Sequence, residues 1–351
     1  MLQERIDEDD AESEDAFTWF ASGTDVPADA PTGVVFALAR EAGDLAWAGE
    51  AEAAEAAFDR AAALAVSSGE AALLPEVADV VATTLAPLDS ARSLALLRRW
   101  QGPVDALDQA ELSALLLDVR AHVAVSASLH GVAAMLLDEA RSAWTVAGED
   151  RRAAEVTDRL GCALRALRRG EEALARHAEA RAVFESLEAP DAAAISAELA
   201  GDCCTELGRH DDALGHYGYA YTRYRQVVSP RDTARARDRM GMALNHLGRL
   251  AESEQAHAEA IAAFAKLGEL ELEAEARKNL GWTLADLGRF SEARAALSDA
   301  VAVLDAAGWI GAADEAREAL DRLPVLHHHP QGSDNASLRG VQLSARTSYG
   351  N

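Results

Sequence analysis

Apolar residues along this chain recur at intervals of three and four, the spacing of one buried stripe on an α-helix, and almost nowhere alternate as a half-buried strand would. Laying the sequence against itself at an offset of 40 residues superposes Gly161, Gly201, Gly241 and Gly281. Their neighbours agree as well. One residue before stand Leu160, Ala200, Met240 and Leu280, and three residues after stand Leu164, Cys204, Leu244 and Leu284. Six and seven residues after come Leu167-Arg168, Leu207-Gly208, Leu247-Gly248 and Leu287-Gly288. A glycine there in left-handed conformation ends a first helix. A second helix follows, marked by Ala173, Ala213, Ser253 and Ala293, where only small side chains let two antiparallel helices approach. Further on lie His177, Tyr217, His257 and Leu297, then Ala180, Ala220, Ala260 and Ala300, then Phe184, Tyr224, Phe264 and Leu304, all at helical spacing.

Each 40-residue unit is therefore a helical hairpin that cannot bury its stripe alone and needs its neighbours to do so. Weaker copies precede the four clear ones. Ala121 occupies an anchor position with Ala133, Ala140 and Trp144 in the second-helix places, and Leu45, Gly49, Ala54, Phe58 and Ala61 fit a first hairpin anchored near Ala42. Residues 72–104 fit loosely, with Pro87 where a first helix should end and Ser93, Leu97 and Trp100 in second-helix positions. The expectation is an all-α, right-handed alpha-alpha superhelix of about seven hairpins over residues 16–323. Its clearest repeats are at 150–309 and a capping helix covers 311–323.

The segments Leu207-Gly208-Arg209-His210-Asp211-Asp212-Ala213 and Leu287-Gly288-Arg289-Phe290-Ser291-Glu292-Ala293 resemble tetratricopeptide repeats. That family usually repeats every 34 residues. The period of 40, with Ala276-Arg277-Lys278-Asn279-Leu280-Gly281, is similar to the longer-helix variety of kinesin light chains, Leu-Gly-Asn polarity adaptors and bacterial Rap-type regulators. The resemblance implies that first helices line a binding groove, with inward positions three before and one, four and five after each anchor. Three before, the row reads Asp118, Asp158, Glu198, Asp238 and Lys278. One after come His122, Cys162, Asp202, Met242 and Trp282, and farther along Arg165, Asn245, His246 and Asp286. On this reading the groove is acidic along one track with Met242 and Trp282 as apolar anchors, and suits a protein or peptide carrying basic and apolar residues. The resemblance also offers an alternative, a sensor whose solenoid changes shape on binding a small signalling peptide or metabolite.

Composition narrows the partners. With 59 acidic residues against 33 basic ones the formal net charge is −26. Such a surface repels phosphate backbones and anionic lipid headgroups, so direct binding to nucleic acid or membrane is not expected. Lys266 and Lys278 are the two lysines, and the Ala- and Arg-rich composition suggests a GC-rich bacterial genome. Cys162, Cys203 and Cys204 are odd in number and lack metal-ligand spacing, which fits a reducing cytoplasm. No apolar run approaches the roughly 20 residues that span a bilayer.

Residues 1–15 hold eight acids and one arginine and are expected to be disordered, as is the Gly-, Ser- and Asn-rich tail 324–351. Between tail and repeats, Phe17, Trp19 and Phe20 form an aromatic cluster that either packs on the first hairpin or docks on a partner or in the chain's own groove. Candidate chemistry is sparse. No phosphate-binding loop, metallopeptidase helix or nucleophile elbow is present. His327, His328 and His329 are adjacent and read as a solvated tract, His177 and His257 sit at packing positions, and Asp211-Asp212 and Glu171-Glu172 fall in helix first turns where they complement the dipole. No enzyme, cofactor or metal is expected.

Overall fold

The computed structural model describes residues 31–324. The acidic segment 1–15, the Phe17, Trp19 and Phe20 cluster, His327 to His329 and the rest of the tail from residue 325 lie outside the described residues. Among those described are fifteen α-helices, and none of them is a strand. They divide into two compact units, residues up to Arg168 and residues from Arg169 onward.

In the first unit α1 (Pro31–Trp47) packs on α2 (Ala51–Ser67), and α5 (Ala110–Ser126) packs on α6 (His130–Ala147), which α7 (Asp150–Ala166) then covers. Between these pairs the loosely matching stretch makes α3 (Leu74–Val80), continued by one π-helical turn over Val81–Leu85, and α4 (Ser90–Asp105). Pro87 lies just past the π turn, consistent with its inability to donate a helical hydrogen bond. Asp89 caps α4 by accepting from the Arg92 backbone N–H at 2.9 Å. Ser93, Leu97 and Trp100 are buried, so the second-helix register holds even in this irregular hairpin.

In the second unit α8 (Gly170–Ser186) packs on α9 (Pro190–Glu206), and the chain continues through α10 (His210–Gln226), α11 (Pro230–His246), α12 (Leu250–Leu267), α13 (Leu270–Asp286) and α14 (Phe290–Ala307) to the solitary α15 (Ile310–Arg322). Within this unit each helix packs on its successor. The first helices of consecutive hairpins also meet directly, α11 with α13 and α13 with α15, which defines an inner face for this unit.

The anchor glycines are explained by close approach. A Cβ added at Gly201 would lie 2.5–3.0 Å from three ring atoms of Tyr217, one at Gly241 would lie 2.6–2.9 Å from the His257 ring, and one at Gly281 would lie 2.7 Å from Leu297 Cγ. Ala213, Ser253 and Ala293 are fully buried in the facing second helices, and Ser253 Oγ donates to the Gly241 carbonyl at 2.8 Å across the contact. Within hairpins, Gly208, Gly248 and Gly288 adopt φ of 73°, 71° and 76°, closing each first helix with a left-handed residue.

Candidate functional site

The row expected to make an acidic track is mostly buried, and its charges are consumed inside the fold. Glu198 is 3% exposed. Its carboxylate accepts Tyr224 Oη at 2.9 Å from the same hairpin, and Arg235 Nε at 2.8 Å and Nη2 at 3.1 Å from the next. Arg239 Nε adds a third partner at 3.0 Å. Asp202 accepts Tyr217 Oη at 2.8 Å and pairs with the same Arg239. Asp238 lies 2.6 Å from His257 Nδ1 and accepts Asn279 Nδ2 at 2.8 Å. In the first unit Asp118 accepts Trp144 Nε1 at 2.8 Å and Arg159 Nη1 at 3.0 Å, and Asp158 is buried. The open acidic groove is thus corrected to a set of interhelical ties. Carboxylates this close to the helix contacts must be desolvated, and they are tolerated because charged and hydroxyl donors replace the water.

These ties follow a rule that the anchors hide. An acid three before one anchor meets an Arg or Asn two before the next, 41 residues on: Asp118 with Arg159, Glu198 with Arg239, Asp238 with Asn279. The donors Arg235, Arg239, Asn279, Tyr217 and Tyr224 were not among the expected site residues. Pairing the acid row with the residues 41 positions on would have found Arg239 and Asn279, but not Arg235 or the two tyrosines.

What remains open on the inner face of the second unit is different in kind. Met242 and Trp282 are half-buried, one residue after their anchors. Lys278 is 8% exposed, donates to Glu315 Oε2 at 3.0 Å and lies 5.5 Å from the Trp282 ring centroid, so its charge is shared between a carboxylate and an aromatic face. Asn245 Nδ2 donates to Asp286 Oδ2 at 3.0 Å, and Asp286 is exposed, although burial of part of its carboxyl raises its pKa. His122 and Arg165 are half-buried in the first unit. In the second unit the structure thus brings Asn245 to Asp286 and Lys278 to Trp282, with Met242 and His246 on the same helix as Asn245.

His246 stacks on His210, ring centroids 4.3 Å apart and planes within 9°. Burial lowers the pKa of both below 6.5, and the neighbouring His210 lowers that of His246 further, while Asp211 opposes the shift at His210. An unfolded chain takes up protons that this stack refuses. Stability is accordingly full above about pH 6.5 and is lost as pH falls through the depressed folded values. Thermal unfolding should show a midpoint that drops between pH 7 and pH 5, with a shallower drop in His246→Phe; equal slopes in the two proteins would contradict the assignment.

The cysteines are free thiols, with Cys203 and Cys204 buried and the Cys204 thiol pushed up by that burial. Among the described residues no group of three or more His, Cys, Asp or Glu could hold a metal ion. Nor is any helix among them long and apolar enough to cross a membrane.

Residues 232–306 match the family model described as tetratricopeptide repeat. No curated protein sequence matches the chain. Solved structures share the fold at low identity. The apo form of RapI has a TM-score of 0.58 at 11% identity, with 78% of this chain and 77% of that one covered. A Rap protein complexed with competence and sporulation factor has a TM-score of 0.51 at 16% identity, covering 82% and 86%. The apo form of the quorum sensor NprR from B. thuringiensis has 0.51 at 11%, covering 80% and 79%. The chain carries the tetratricopeptide-repeat α-solenoid fold, and the Rap-type proteins anticipated from its 40-residue period are among its structural neighbours.

Proposed function

We propose that this protein is a non-catalytic, cytoplasmic interaction scaffold that holds a segment of a protein partner on the inner face of its second unit. The carrying observation is the pair Met242 and Trp282, large apolar side chains left half-exposed on first helices whose polar neighbours are otherwise tied into the fold. An aromatic or thioether anchor in such a position gives a partner apolar area to cover, while Asp286 and Glu315 offer it negative charge at the rim. The favoured partner segment has one or two large apolar residues and a nearby Lys or Arg.

A regulatory variant of this reading has the hairpins change their packing on binding a signalling factor. Its support is one neighbour of the same fold, the Rap protein whose structure holds competence and sporulation factor. Compaction in solution scattering on adding such a ligand would favour it over a static scaffold.

The test begins with a photo-crosslinking amino acid at Met242 in the native cell, with Thr222, exposed on α10, as control. The partner so identified is purified and its affinity measured. Trp282→Ala should weaken binding by about 2 kcal/mol or more, as loss of an interface anchor does, and Asp286→Arg should weaken it as well. Equal crosslinking at both positions, or affinity unmoved by both substitutions, would remove the inner face from consideration.

A further inference from the structure

The last turn of α10 carries two arginines, Arg223 and Arg225, that no carboxylate meets among the described residues. In the same unit Arg209 pairs with Asp212, Arg231 with Glu269, Arg237 with Glu259, Arg249 with Glu252 and Arg289 with Glu292. These two instead lie over tyrosine rings, Arg223 at 4.9 Å from the Tyr219 centroid, where it also donates to Gln226 Oε1 at 3.0 Å, and Arg225 at 5.7 Å from the Tyr221 centroid. The stacked guanidinium of Arg225 makes no hydrogen bond among the described residues, so its in-plane N–H donors are held in a plane suited to a carboxylate. Arg237 also lies over the Tyr221 ring, at 5.9 Å, and its charge is already balanced by Glu259 at 2.7 Å.

Beside Arg225 the structure opens a groove of about 370 Å³, lined by Tyr221, Arg225, Val228, Pro230, Arg237 and Glu259 among others. It holds two guanidiniums against one carboxylate, a local positive excess on a chain of net charge −26. Val228 is the second unusual feature. It sits at φ 57° with 81% of its surface exposed. Forty residues on, the equivalent position is Gly268 at φ 76°. A β-branched residue in left-handed conformation is an outlier, and this one contributes almost no burial in return. Strain held at an exposed apolar side chain points to a contact made outside the chain.

We propose that this groove is a second docking surface, which takes a carboxylate-rich segment of a partner protein. Arg225 holds the acid, and an apolar side chain next to it in the segment covers Val228 and the Tyr221 ring. The surface lies on α10, α11 and α12 and uses none of the inner-face residues, so it stands or falls independently of them.

The experiment is fluorescence anisotropy on the full chain with a fluorescein-labelled peptide Glu-Asp-Glu-Leu-Phe-Asp-Glu. Two control peptides are used, one with lysine at every acid and one with glycine for Leu-Phe. Saturable binding of the first peptide alone is expected, weakened at least about tenfold by Arg225→Glu. Val228→Gly should weaken it severalfold while raising the thermal midpoint, because glycine relieves the backbone, and Trp282→Ala should change nothing. No saturable binding, equal binding of either control, or affinity indifferent to both Arg225→Glu and Val228→Gly would overturn the proposal. Stronger competition by heparin than by unlabelled peptide would overturn it too, in favour of a general polyanion surface.

Discussion

Glu198→Ala is expected to lower the protein's stability by about 3–5 kcal/mol, the cost of leaving buried charge without its partner. The substitution removes a side chain that is 4% exposed and strands Arg235, whose side chain is 10% exposed, and Arg239. Asp232 still meets Arg235 at 2.6 Å, and Asp202 still meets Arg239, so the residual pairing sets the lower end of that range. Tyr224 also loses its acceptor, and its ring sits in the buried cluster of α9, α10 and α11. Denaturant unfolding of Glu198→Ala against the parent measures the loss directly. A change under about 0.5 kcal/mol, normal for an exposed acid, would mean that Glu198 belongs to the surface after all.

The second large effect is steric. Gly201→Val places a branched side chain where even a single Cβ would come within 2.5 Å of Tyr217 Cε1. Backbone is not what yields here; the tyrosine must. Tyr217 is 3% exposed, and its hydroxyl is held by Asp202 at 2.8 Å, so turning the ring away breaks that bond as well as the packing. Overpacking of this kind costs about 1–3 kcal/mol, and the lost hydrogen bond to a charged group adds about 1.5–3 kcal/mol. Thermal unfolding should place Gly201→Val well below the parent, whereas Gly215→Ala, where an added Cβ meets nothing within 4 Å, should be neutral or stabilising. Equal midpoints for the two variants would refute the close-approach explanation of the anchors.

The architecture was legible because packing imposes it on every repeat. Glycine at 201, 241 and 281 faces whatever bulky residue stands 16 positions later, and glycine at 208, 248 and 288 ends the first helix. Those constraints act within one hairpin, so they print a pattern on contiguous sequence. The acids at 198 and 238 were legible as a row but not as ties, since their donors stand on other elements and 26, 37 or 41 residues away. A carboxylate destined for water and one destined for an arginine look alike until the partner's helix is placed. Val228 was missed for another reason: the 40-residue offset sets it against Gly268, but that it keeps the left-handed conformation at φ 57° is a property of the backbone that residue type does not show. Where the repeat is irregular, at 72–104, the buried Ser93, Leu97 and Trp100 kept the register while a π turn took up the mismatch ahead of Pro87.

Two kinds of inner-face residue separate. Glu198, Asp202 and Asp238 hold one hairpin to the next, and Met242, Trp282 and Asp286 are the ones proposed to meet a partner. Mutating the first kind would mimic loss of binding by loosening the stack, so each binding variant has to be accompanied by an unfolding curve.

The distinction rests on Glu198 being tied to the following hairpin, and a double-mutant cycle between Glu198→Gln and Arg235→Met reads that tie alone. Coupling of about 2 kcal/mol or more in denaturant unfolding is the predicted result; coupling within about 0.3 kcal/mol of zero would contradict it and return Glu198 to the ligand face.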